Sequence, residues 1–94
     1  MRARREMEII AGQVNTGTGV ISQGTGDFTV SGGGGAMTVF LPQNFKLVAV
    51  SGNASAIVMF DNFTKASFRI VSVNTVGGGA VAVECWFIAV GYRQ

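Results

Sequence analysis

Ala80-Val81-Ala82-Val83-Glu84-Cys85-Trp86-Phe87-Ile88-Ala89-Val90-Gly91-Tyr92 is the longest nearly unbroken apolar run in the chain. A β-strand sends successive side chains to opposite faces. In that conformation Val81, Val83, Cys85, Phe87 and Ala89 share one face, and Ala82, Glu84, Trp86, Ile88, Val90 and Tyr92 share the other. Thirteen residues would also suffice for a buried helix, but the run is rich in β-branched and aromatic residues, which favour strands. Gly77-Gly78-Gly79, just before it, reads as a hairpin or loop. A strand that is apolar on both faces must be covered on both. In so small a chain one cover is a second sheet and the other a neighbouring copy, so the expectation is an oligomeric β-protein.

Composition points the same way. Of the 94 residues 48% are hydrophobic and 13% charged, about half the usual charge content of ~25%. So few charges leave part of the surface suited to contact with protein rather than water. Fourteen glycines against one proline, between short apolar runs, suggest an all-β sandwich or barrel. The net charge is +2, with Arg2, Arg4 and Arg5 clustered at the start. From Gly12 onward four bases face three acids. That balance lacks the dense basic face of a nucleic-acid binder.

Met1–Ala11 reads as a docking arm and residues 12–94 as the folded domain. Arg2/Glu6 and Arg4/Glu8 stand four apart, a spacing that supports a helical turn or two, and Ile9-Ile10 offers an apolar anchor. Strands are predicted at Gly19–Gln23 and Asp27–Ser31, joined by a turn at Gly24-Thr25-Gly26. Gly32–Gly35 reads as a flexible loop. Further strands are predicted at Ala36–Leu41, Phe45–Ser51, Ala56–Phe60 and Ser67–Asn74, before the closing run. The spacing fits an antiparallel β-sandwich of about six strands.

Chemical motifs are sparse. The chain has no histidine and a single cysteine, Cys85, set inside the apolar run. Neither an intrachain disulfide nor a cysteine-rich metal site is expected, and no cofactor, metal or catalytic residue is assigned. Gly77-x-Gly79-x-x-Ala82 imitates a dinucleotide loop, but a strand follows where a helix is needed. Asp27, Asp61 and Glu84 are scattered over different segments; a paired-carboxylate hydrolase is the remote alternative. Glu84 is the odd residue in its strand. It has either a solvated or Arg69-paired role, or a place in a salt bridge between subunits. Arg2–Arg5 is followed by Glu6-Met7-Glu8 rather than an apolar segment, so no secretory signal is visible. The closing run is too short to cross a bilayer as a helix, and no membrane insertion is expected.

Thr38-Val39-Phe40-Leu41-Pro42-Gln43-Asn44-Phe45, the turn-bounded middle strands and the closing Trp86-Phe87-Ile88-Ala89-Val90-Gly91-Tyr92 together resemble the C-terminal domain of bacteriophage tail-fibre proteins. The layout is also similar to the H-type lectin fold. The likeness covers roughly residues 27–92. It implies a homotrimeric virion protein, made in the host cytoplasm, with an H-type-lectin-like sandwich and a receptor-binding or fibre-capping place. No sugar-binding residues carry over. On this reading Glu84, Trp86, Ile88, Val90 and Tyr92 form the subunit interface, and Arg2, Arg4, Arg5, Ile9 and Ile10 dock to other virion proteins. A host-surface glycan is a further possible partner. The alternatives are a capsid decoration (cement or head-fibre) protein and a free lectin.

Overall fold

The computed structural model describes residues 6–25 and 27–94. The chain is all-β there, with eight strands in two four-stranded antiparallel sheets that face each other as a sandwich. The strands are β1 (Glu8–Asn15), β2 (Val20–Thr25), β3 (Thr29–Gly33), β4 (Ala36–Phe40), β5 (Phe45–Ala54), β6 (Ile57–Asp61), β7 (Ser67–Val73) and β8 (Glu84–Arg93). The first sheet runs β2-β1-β8-β5 and the second β3-β4-β7-β6.

β8 alternates as its sequence demands. Cys85, Phe87 and Ala89 are fully buried, while Glu84, Trp86 and Ile88 face outward. It begins four residues later than expected. Ala80 makes only an isolated bridge to Val73; the Val81 carbonyl accepts the Ser72 hydroxyl, and the Val83 carbonyl accepts both the N–H and the hydroxyl of Thr16.

The largest departure is at the start of the chain. The arm expected over Met1–Ala11 is a strand from Glu8 onward, and it lies between β2 and β8. Ile10, Gly12 and Val14 recur every second residue and point inward, with Ile10 at 2% exposure. Burial of that face holds the chain extended from Glu8; the helical turn expected from Arg2/Glu6 and Arg4/Glu8 lies largely outside the described residues. With β1 added to the seven segments predicted as strands, the described residues hold eight, where the spacing suggested about six.

Two glycine-rich stretches also differ from expectation. β2 and β3 lie in different sheets and do not form the hairpin expected across Gly24-Thr25-Gly26, whose last residue lies outside the described ones. β2 instead pairs with β1, across a turn in which the Asn15 Oδ1 accepts the Gly17 and Thr18 N–H groups at 2.9 and 3.0 Å. Gly32–Gly35 is not a loose loop. β3 and β4 form a tight hairpin through Gly34-Gly35, whose φ values of 69° and 99° suit the turn that matches strand twist.

Between the sheets the core mixes aliphatic and aromatic side chains. Phe28, Phe87, Phe68 and Phe60 form a chain of ring contacts at 5.1, 5.4 and 6.0 Å, mostly edge-to-face. At one end a buried polar knot joins the sheets. The Thr16 and Ser72 hydroxyls lie 2.7 Å apart, Ser72 donates to the Val81 carbonyl at 2.6 Å, and the Val83 N–H donates to Thr16 at 3.0 Å. The turns after β1 and β3 and the segment after β7 gather at this end. At the other end β1 begins beside the end of β8, where Arg93 donates to Glu8 at 3.0 Å and to Asn44 at 3.0 Å.

Candidate functional site

Register on the first sheet decides which residues share its outer face. Directly opposed residues of antiparallel strands project to the same side. Ile9 pairs with Val90, Ala11 with Ile88 and Gln13 with Trp86. Beyond β8, Ala49 pairs with Val90, Ser51 with Ile88 and Asn53 with Trp86. Val48 is the extra residue of a bulge between Leu47 and Ala49. The result is an apolar stripe of Trp86, Ile88 and Val90 along β8, widened by Ile9 and Ala49. Trp86 and Ile88 are each 46% exposed and Ile9 63%.

Polar residues flank this stripe on both sides. On the β1–β2 side Gln23 donates from its Nε2 to the Gln13 Oε1 at 2.8 Å. On the β5 side stand Ser51 and Asn53. A trough of about 510 Å³ runs between them and the Trp86–Ile88 ridge, with Gly52 and Ala11 also lining it.

Glu84 ends the stripe but leans off it. Its carboxylate accepts the Ser22 hydroxyl at 3.0 and 3.2 Å and the Asn15 amide at 3.5 Å, so it lies over β1 and β2. The pairing with Arg69 considered from sequence does not form. Arg69 is on the second sheet, where it grips Asp61 through two hydrogen bonds of 2.6 and 2.7 Å. The hydrogen bonds from Arg69, followed by its charge, hold the Asp61 carboxyl below its ordinary value.

The structure thus brings Glu84, Trp86, Ile88, Val90 and Tyr92 to one outer face, as strand alternation requires. It divides the expected docking residues. Ile10 is in the core of its own subunit, which removes it as an anchor. Ile9 is exposed and joins the stripe. Arg2, Arg4 and Arg5 lie outside the described residues. Asp61 and Glu84 are on different sheets and do not form a carboxylate pair. No group of three or more potential metal ligands occurs among the described residues, and none of their helices is long and apolar enough to cross a membrane. The Cys85 thiol is buried, and that burial pushes its pKa up to about 11.

Sequence reading missed a second apolar area. Phe40, Ile57 and Met59 project from the outer face of the second sheet at 44–49% exposure. Alternation over Ile57–Asp61 carried the signal, since Ile57 and Met59 cannot share a face with Val58 and Phe60. Ile9 was the other omission from the first face.

By fold and site the described residues form an antiparallel sandwich of eight strands with an exposed apolar stripe on one outer face. Comparison with protein-family models, curated proteins and solved structures finds no match.

Proposed function

We propose that this protein is a non-enzymatic structural component of a bacteriophage virion, a tail-fibre-tip-like module with an H-type-lectin-like sandwich that works as a homotrimer. The observation that carries the reading is the stripe of Trp86, Ile88 and Val90 with Ile9. Large apolar side chains gathered in one exposed patch mark a contact surface. The virion context rests on the resemblance of the closing strand and the Thr38–Phe45 segment to tail-fibre tips.

The ends of the sandwich suit this role. β1 begins at Glu8 beside Arg93 and Asn44, so attachment through the N-terminal segment belongs at that end. The turns after β1 and β3 and the Asn74–Gly79 segment, with Val76 at 81% exposure, lie at the other end and are free to meet a host surface. Repetition of weak contacts over three copies would supply the affinity.

Light scattering of the purified protein tests the reading. Three chain masses support it, and a monomer overturns it. One observation favours a second reading if the protein is monomeric. The trough beside Trp86 then becomes an open indole platform with the Ser51 hydroxyl and Asn53 amide at its rim, suited to a neutral sugar as in a free lectin. A glycan array distinguishes it from a capsid decoration role.

A further inference from the structure

We propose that the stripe is closed by copies of this chain arranged head to tail around a three-fold axis parallel to β8. In that arrangement the β5 flank of each copy meets the β1–β2 flank of the next, with Asn53 against Gln13 and Gln23. The inference rests on the self-association proposed above and adds its geometry and its contacts.

Sheet dimensions favour three copies. Four strands about 4.8 Å apart make a face about 19 Å wide. Three such faces closed into a prism hold each sheet about 5.5 Å from the axis, close to half the ~10 Å separation of packed sheets. One layer of side chains from each sheet fills that space. Four copies would leave an open channel, with each sheet about 9.5 Å from the axis. Two copies packed flat would bury the polar flanks along with the stripe, whereas three keep them at the corners beside water.

The flanks complement each other at matching heights. Gln23, Gln13, Trp86 and Asn53 occupy one row across the sheet. The Gln23–Gln13 bond leaves the Gln13 amide donors and the Gln23 carbonyl oxygen unused. Among the described residues the Asn53 side chain has no hydrogen-bond partner in its own chain. A rotation about an axis parallel to the strands preserves height, so these amides meet. Lys46, opposite Tyr92 on the β5 edge, forms no ion pair among the described residues and lies on the same outer face as the stripe. An end-over-end pairing with β5 against β5 offers no such match, because the Glu84 carboxylate leans over β1 and β2, away from the β5 side.

Cysteine cross-linking of the full chain tests this. Gln23 and Asn53 are three strand spacings apart on one sheet, about 14 Å, too far for a disulfide within a chain. Cys85 is fully buried and stays out of the reaction. The expected result is that the double variant Gln23→Cys/Asn53→Cys oxidises to a closed covalent species of three chains, while either single variant remains unlinked. Covalent dimers from Asn53→Cys alone would overturn the inference in favour of β5 against β5. A covalent pair or an open ladder from the double variant would overturn the ring of three. Charge variants give an independent reading without oxidation. Asn53→Lys with Gln23→Glu should assemble, and Asn53→Lys with Gln23→Lys should dissociate by light scattering. Equal assembly of those two, or a trimeric double-cysteine variant that does not cross-link, would overturn the flank contact while leaving self-association standing. A monomeric wild type would remove both.

Discussion

Thr16 shows how much one side chain does in this molecule. It is fully buried, and its hydroxyl meets Ser72, accepts the Val83 N–H and reaches the Val83 carbonyl. Thr16→Val keeps the shape and removes those bonds. The expected loss is about 1–3 kcal/mol, since buried polar partners are left unsatisfied, and it is read from the urea midpoint at an unchanged m-value. Asp61 is a pH-sensitive counterpart at the surface. Its folded pKa lies below the ordinary 3.8, chiefly because Arg69 donates hydrogen bonds to it. The stabilisation is therefore fully present above the unfolded value and disappears as pH falls through the lowered folded value. Asp61→Asn should be less stable than wild type at neutral pH, and the difference should vanish in strong acid. A gap between the two urea midpoints that stays constant with pH would contradict this assignment.

β1 decides where the chain can be shortened. Removal of residues 1–7 leaves every pair of β1 with β8 intact, because the ladder starts at Glu8 and Gly91. That truncation should retain the β-sheet circular dichroism and the thermal transition of the full chain. Removal of residues 1–11 deletes Ile10 from the core and uncovers half of β8. Loss of one buried isoleucine side chain alone costs about 2–5 kcal/mol, a large share of the 5–15 kcal/mol typical of a domain. The longer truncation should therefore be unfolded or aggregated at 25 °C. The shorter one is also the variant with which to test attachment to particles, since its failure to bind cannot be blamed on misfolding.

At the scale of the whole molecule, the stripe on β8 is one of two apolar areas that a lone subunit leaves exposed, and the one on which the proposed association rests. Ile88→Glu places a charge at its centre without touching the core, because Ile88 points away from Phe87 and Ala89. The expected outcome is a folded monomer. Burial of a side chain of this size contributes about 1.5–3 kcal/mol, so association should weaken at least tenfold, given about 1.4 kcal/mol per decade. Light scattering reads the mass and near-ultraviolet circular dichroism confirms the fold. Loss of the fold instead would place Ile88 among the core residues.

Much of this architecture is local in origin and can be read along the chain. Alternation in Ala36–Phe40, Ser67–Val73 and Glu84–Arg93 sorts their side chains into inner and outer sets, and backbone pleating alone imposes that sorting. The outer set of Trp86, Ile88, Val90 and Tyr92 was legible for the same reason. Partnership was not, because pairing joins residues far apart in sequence and is selected by the total burial it achieves. Only the assembled sandwich reveals that the first strand lies against the last, which turns Ile10 from an anchor into core and adds Ile9 to the stripe. Only the assembly separates Glu84 from Arg69, gives Arg69 to Asp61, and hands the Val81 and Val83 carbonyls to buried hydroxyls.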